Sequence, residues 1–405
     1  MWLLLAMILI MPYEASPYLH LADNFLGVFP DFTAIKALGL VGFAWAMLQL
    51  GAGDPAARHF AARPATLAML FLTLVAFLAL VHGSGLQHAV SRSLAFLTFM
   101  PFVLVAVASI DDLRRVLATM VLAYVIMFPY GLRQMLRFDS RFGTGVYEPN
   151  YLAALLVLLV PLAFALGASR DDPNRRLLWQ GAGVVLVVML FLTSSRGGFL
   201  GLMVATMVFL YRRRGPVVAF GALAVLLGAV VVVPTELGSR ALATLFEDSR
   251  ALPPGLEQSN RAHVALFWAG LRMIADHPLL GVGPDQFKSL STAYTGFSQG
   301  NIAHNSYLEI GAEFGLPALL VFVLLLASTY RSLGRVAALG GVPAMREVAA
   351  WGEGLRAGLT GYLVAAFFIS AQYEKLLWLT IFLTVVLVDV AARQLVAAAP
   401  ASAPD

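Results

Sequence analysis

The residues best placed to do chemistry sit in two short stretches. One is GNIAHNSYLEIGAEFGLPALL, residues 300–320, which carries His304, Asn305, Glu309 and Glu313; the other is LFLTSSRGGFLGL, residues 190–202, which carries Arg196. The first stretch turns from polar to nearly pure hydrocarbon within a few residues. Ser306 and Glu309 have the S-x-x-E spacing of a capping box, which predicts a helix opening at Ser306. Glu309 is then either a helix-start device or a functional carboxylate. Glu313 follows one turn later on the same face. A carboxylate at membrane depth needs a partner, for which an arginine is suited. His304 falls just before the helix N-terminus, where the dipole is equivalent to about half a positive charge. That field disfavours imidazolium, so the ring is expected neutral near pH 7 and able to accept a proton. The N–H groups of the same terminus can hold an anion. An ordinary loop histidine fits the spacing equally well.

From Gly181 to Tyr211 the chain is apolar except near Arg196. One helix of that length would run ~46 Å, too long for a ~30 Å hydrocarbon core. The reading is two spans joined by a tight SSRGG turn, with Gly197 and Gly198 supplying the bend. Arg196 is then at the interface, either snorkelling to headgroups or turned into the protein. Arg133, Arg137 and Arg141 follow the span ending at Gly131, and Arg261 opens an amphipathic helix. Singly each reads as a surface charge; as a group they could form a phosphate pocket, because guanidinium forks match phosphate oxygens.

Other chemistries fare worse. There is no H-E-x-x-H, no His/Cys cluster, no P-loop and no G-x-S-x-G elbow. Asp111–Asp112 and Asp171–Asp172 are adjacent pairs beside arginines and read as solvated loop charges. The segment LLGVGPDQF lacks the third glycine and the preceding strand of a dinucleotide fingerprint. No cysteine is present, so thiolate chemistry and disulfides are excluded. No cofactor or metal is expected, and nothing basic and aromatic suggests nucleic acid.

The elements that must position these residues are membrane helices. Of the 405 residues, 60% are hydrophobic and 12% charged, more apolar surface than a water-soluble globule can hide. Twelve apolar stretches are candidate spans: 1–12, 31–50, 65–82, 92–109, 113–131, 149–167, 177–195, 197–211, 215–234, 306–330, 354–371 and 374–391. The first is too short to span alone; it is extended by residues 12–21, or it is a re-entrant piece, and it lacks the features of a signal peptide. With both termini inside, arginine clusters at 58 and 63, 114 and 115, 170–176, 212–214 and 331–346 fall on the cytoplasmic side. The arginines left on the outer side, Arg240 and Arg250 among them, then mean either a count off by one span or, the favoured reading, a bound anion. The division is 1–234 for N-terminal membrane helices, 235–305 for an outer loop, 306–393 for C-terminal membrane helices and 394–405 for a disordered tail. Within the loop, Pro253, Pro254 and Gly255 form a turn. A helix capped by Ser259 or Asn260 follows, with Val264, Phe267, Trp268, Leu271 and Ile274 as its apolar stripe. It would lie on the membrane surface or over a cavity.

Taken together, TSSRGG, ADHPLLGVGPDQF and AHNSYLEIGAEFGLPALL, in this order and separated by a long loop, resemble the O-antigen ligase superfamily. The resemblance covers about residues 190–330. It implies an all-α, polytopic inner-membrane protein of about twelve transmembrane helices, of GT-C type, with one large periplasmic loop containing helices. It implies a metal-independent inverting glycosyltransferase that moves a glycan from undecaprenyl diphosphate to an acceptor hydroxyl on the periplasmic face, such as lipid A-core. By motif, His304 is implied as the base, with Arg196 and Arg261 stabilising the departing diphosphate; Arg133, Arg137, Arg141, Asn305, Glu309 and Glu313 are candidates for substrate binding. An O-antigen or exopolysaccharide polymerase and a protein O-oligosaccharyltransferase share the same implication. A lipid-linked glycan transporter, the reading from another class, calls for ionisable residues in midspan; here the midspans are nearly pure hydrocarbon.

Overall fold

The computed structural model describes residues 1–14, 16–83, 85–138, 140–143, 147–169, 172–232 and 254–398. The helices are α1 (Trp2–Ile10), α2 (Ala34–Gly51), α3 (Arg63–His82), α4 (Leu86–Ala106), α5 (Ile110–Phe138), α6 (Pro149–Ala168), α7 (Pro173–Leu192), α8 (Arg196–Arg214) and α9 (Pro216–Val232). They continue with α10 (Pro254–Asp276), α11 (Gln286–Thr295), α12 (Ser306–Ala337), α13 (Arg346–Ala365) and α14 (Lys375–Ala398). Each of the twelve apolar stretches contains a helix. Eight helices, α2 to α7, α12 and α14, are long and apolar enough to cross a membrane. The first helix is not extended through Leu21. Its nine residues end in a 3₁₀ turn at Met11–Tyr13, and an antiparallel hairpin of β1 (His20–Phe25) and β2 (Phe29–Thr33) follows. That hairpin is the one departure from an all-α body among the described residues.

Helix α6 shows why the bundle closes. It is apolar on every side and buried from Leu152 to Gly167 except at Phe164, so it must be surrounded by other helices. Helix α13 meets it through glycines. A Cβ on Gly354 would lie 2.6 Å from the Ala165 Cβ, and one on Gly358 would lie 2.2 Å from the Leu158 carbonyl oxygen. A side chain at either would push the helices apart, as in small-residue packing between membrane helices. The same core continues to Trp378, whose ring lies 4.8 Å from Phe96 and 6.0 Å from Phe71.

At one end of the bundle, three of the arginine loops are pinned by carboxylates. Arg114 grips Glu347 through two bonds of 2.9 and 2.7 Å, Arg213 meets Glu353 at 2.8 Å and Arg58 meets Asp389 at 2.8 Å. Glu347 and Glu353 open α13 and Asp389 is near the end of α14, so these loops share one face as the alternation requires. Helix α14 continues through Ala398, past the boundary placed at 394, and the rest of the tail lies outside the described residues.

At the other end, α10 and α11 pack on the start of α12 around Leu266, Met273, Phe287, Ala303 and Ala312. Helix α10 begins at Pro254, a turn earlier than the Ser259 or Asn260 cap; proline suits a first helical position. Arg240, Arg250 and Pro253 lie outside the described residues. The apolar stripe is also corrected: Val264, Phe267, Trp268 and Leu271 are exposed, and Leu266, Ala269, Gly270 and Met273 are buried. The helix is apolar on two flanks. The flank that packs is the one with small residues, because Gly270 lets α10 approach Leu308 to within contact distance.

Helix α12 is broken at Gly315, whose φ of +79° is open to glycine at little cost. The segment HPLLGVGP, residues 277–284, lies against the break. Val282 N donates to Ala312 O at 2.8 Å, Gly283 N to Glu313 O at 3.0 Å, and Leu316 N to Pro278 O at 2.8 Å. These bonds satisfy backbone groups that the break frees, the condition for irregular backbone at membrane depth. Gly281 of this segment permits close backbone approach, since a Cβ there would lie 2.3 Å from the Glu313 carbonyl.

Candidate functional site

Helix α7 ends at Leu192 and α8 starts at Arg196. The turn between them is as tight as expected, but the glycines do not make it. Ser194 takes the left-handed conformation at φ +53°, and Ser195 caps α8 by accepting from Gly198 N at 3.3 Å. Gly197 and Gly198 are helical and serve contact: a Cβ on them would lie 2.8 Å from the Phe368 Cβ and 2.5 Å from the Ala153 Cβ. Arg141 braces the same turn. Its Nε donates to Thr193 O at 2.7 Å and its Nη2 to Asn150 Oδ1 at 2.9 Å. Those bonds give Arg141 a structural task in the turn.

The start of α12 is built differently from a capping box. Asn305 is the cap, its Oδ1 accepting from Tyr307 N and Leu308 N at 3.0 Å each. Ser306 is the first helical residue and its hydroxyl is turned to the α13–α14 connection, donating to Ile369 O at 2.8 Å and accepting from Ala371 N at 2.8 Å. Glu309 accepts from Ala303 N at 3.2 Å, from Gln372 Nε2 at 2.8 Å and from the Ser370 hydroxyl. The box forms no bond because three elements compete for its side chains. The helix-start N–H groups are spent as well: Ser306 N donates to Ala366 O at 2.9 Å and Glu309 N to Asn305 O at 3.0 Å. No anion site is left at that terminus.

His304 precedes this cap at φ +48°, a conformation sparsely used by residues other than glycine. Its ring meets the ring of His263 on α10, edge to face, with centroids 4.8 Å apart. Burial lowers the pKa of His304 below the ordinary histidine value. Burial lowers that of His263 too, and the charges of His304 and Arg196 push it the same way. The expected neutral imidazole therefore holds in direction, with burial as the cause in place of the helix dipole. Arg196 is thus near enough for its charge to act on His263, whose ring touches His304. A second route links them: Gly197 packs on Phe368, and the same connection binds Ser306. Sequence reasoning missed His263. Its signal was a polar residue two positions after Arg261, on the flank of α10 that proves buried.

The remaining candidates are distributed as follows. Arg261 is exposed on α10, two residues before His263. Arg133 and Arg137 stay exposed along α5, Arg137 lying over the ring of Phe138 at 5.3 Å. Glu313 is buried, and its partner is not an arginine: Oε1 accepts from Phe287 N, at the start of α11, at 3.2 Å. Glu309 and Glu313 line a shallow cavity of about 230 Å³ together with Arg92, Asp285, Lys288 and Ile302. Among the described residues no three His, Asp or Glu side chains are grouped so as to hold a metal ion.

Residues 181–323 match the family model described as O-antigen ligase. The match spans Arg196, His263 and His304. A comparison with curated proteins found no match.

Proposed function

We propose that this chain, which carries an O-antigen ligase superfamily domain over residues 181–323, moves a glycan from undecaprenyl diphosphate to an acceptor hydroxyl, lipid A-core being the acceptor that the ligase reading names. The observation that carries the reading is the ring contact of His304 with His263, on which the charge of Arg196 also acts. Exposed Phe367 and Phe368 stand beside Gly197 and offer an apolar wall to a polyprenyl tail. The site is read as lying at the periplasmic face of the inner membrane, opposite the carboxylate-pinned arginines. Helices α8, α9 and α13 complete the set of crossings in a GT-C-type arrangement. Helix α1, ~14 Å long, reaches only partway.

In the reaction, His304 takes the proton from the acceptor hydroxyl as its oxygen attacks the anomeric carbon. The bond from that carbon to the diphosphate oxygen breaks, and undecaprenyl diphosphate leaves with the electron pair. A single displacement inverts the anomeric centre. Arg196 lies where the leaving group's charge grows and stabilises it in a partly dry site, joined by Arg261 from α10. Neutral His304 is the competent form, and burial keeps it neutral below the usual histidine range.

The test is cell-surface glycan analysis of a strain lacking the chain, complemented with wild type or His304→Ala. Unattached polyprenyl-linked polymer in the deletion supports a ligase, and accumulation of single repeat units points to a polymerase. Normal surface glycan from the folded, inserted His304→Ala protein refutes glycan transfer by this site.

A further inference from the structure

A cavity of about 280 Å³ lies between α2, α4 and the hairpin, apart from the imidazole pair. Its two ends differ in chemistry. Toward the hairpin it is lined by Lys36, Arg92 and Lys375; deeper along the helices it is lined by Gly39, Leu40 and Phe99. Two carboxylates share the polar end. Glu14 is paired with Lys375, and Asp31 is an exposed residue. Lys36 donates to two main-chain carbonyls, Pro30 O at 2.6 Å and Asp31 O at 2.9 Å, and Glu14 and Asp31 act on its charge only through space. Arg92 takes its carboxylate, Asp285, from the far side at 3.0 Å. His88 and Arg92 also line the smaller cavity, bounded by Glu309 and by Ile302, two residues before His304, so the two cavities share a wall.

A ligand that fits both ends has a compact anionic head and a hydrocarbon tail. We propose that this cavity seats a phosphate-bearing lipid, the acceptor of the glycan, with its phosphate at Lys36 and Arg92 and one acyl chain along Gly39, Leu40 and Phe99. The proposal rests on the glycan-transfer reading for its role, and on the cavity alone for the lipid. The place suits an acceptor: its glycan-bearing head would extend over the shared wall toward His304, leaving the Arg196 side to the donor. Gly39 keeps the tail channel open, since a Cβ there would meet nothing within 4 Å.

Two measurements on the full chain test this. In phosphatidylcholine nanodiscs doped with lysophosphatidic acid, native mass spectrometry is expected to find the lysolipid retained by wild type and by His304→Ala. Retention falls about tenfold in Gly39→Trp, which fills the channel, and in Lys36→Met, and Lys36→Arg restores it. Retention unchanged in both Gly39→Trp and Lys36→Met overturns the proposal. Displacement by millimolar inorganic phosphate, or equal retention of monoacylglycerol, also overturns it, the first by showing a free-anion site and the second a site for hydrocarbon alone. In proteoliposomes, Lys36→Met is expected to raise KM about tenfold for a lipopolysaccharide acceptor that lacks O-antigen, leaving the KM of the polyprenyl donor unchanged. A rise confined to the donor KM overturns the acceptor assignment. Glycan transfer by His304→Ala would refute the reaction reading, and the lysolipid measurement would still decide whether the lipid site exists.

Discussion

The two ends of the helix bundle use charge in opposite ways. At one, Arg58, Arg114 and Arg213 close on Asp389, Glu347 and Glu353, so that each ion pair ties a loop to α13 or α14. At the other, the carboxylates of Glu309 and Glu313 are met by backbone N–H groups, a serine hydroxyl and a glutamine amide, and the charge of Arg196 acts on His263. The first arrangement fastens the fold. The second holds Glu309 and Glu313 with neutral donors, while Asp285 beside them takes Arg92.

The comparison breaks most visibly if the imidazole end proves dispensable. His304→Ala is expected to lower kcat by about 10²–10⁴-fold in proteoliposomes, the usual contribution of a positioned base, with the melting temperature in detergent unchanged. Arg196→Lys is expected to lose much of the activity too, because a point charge does not reproduce a bidentate fork. Full turnover in both would remove the distinction between the two ends.

A substitution at the helix break tests the claim that Gly281 of HPLLGVGP serves structure. Gly281 sits at φ +71°, and a Cβ there would lie 2.3 Å from the Glu313 carbonyl. Gly281→Val is expected to cost roughly 2–5 kcal/mol and to reduce the yield of monodisperse protein. A well-folded variant that has lost only transfer would assign the glycine to substrate instead.

The pH profile sharpens the reading of the imidazoles. Burial lowers the His304 pKa, so the base stays neutral into mild acid, and the acid limb of kcat/KM should fall below the ordinary value of about 6.5. Opening the site with His263→Ala admits water, raises the His304 pKa and moves that limb toward 6.5; His263→Phe keeps the ring contact and the limb. A limb that does not respond to either variant would separate His263 from the reaction. At the opposite end the expected effect is small. Arg114→Met should cost about 1 kcal/mol of stability, since its pair with Glu347 is partly solvated, and should leave glycan transfer at the wild-type rate.

The amino-acid sequence by itself determined the solvent, the helices and the arginine turn. Hydropathy is a local sum over twenty residues, and the arginine clusters are read from local composition in the same way. The motifs around Arg196 and His304 were legible for the same reason, because each is a contiguous string. Tertiary structure alone decided what each polar side chain does. Ser306 and Glu309 carry the letters of a capping box, yet Asn305 caps the helix because the α13–α14 connection claims the other two. Arg141 and Arg196 look alike in sequence, and only the folded turn makes one a brace and leaves the other beside His263. His263 itself has no motif. Its role depends on which flank of α10 packs, and that was settled by the fit of Gly270 against Leu308, a contact between residues far apart in the chain.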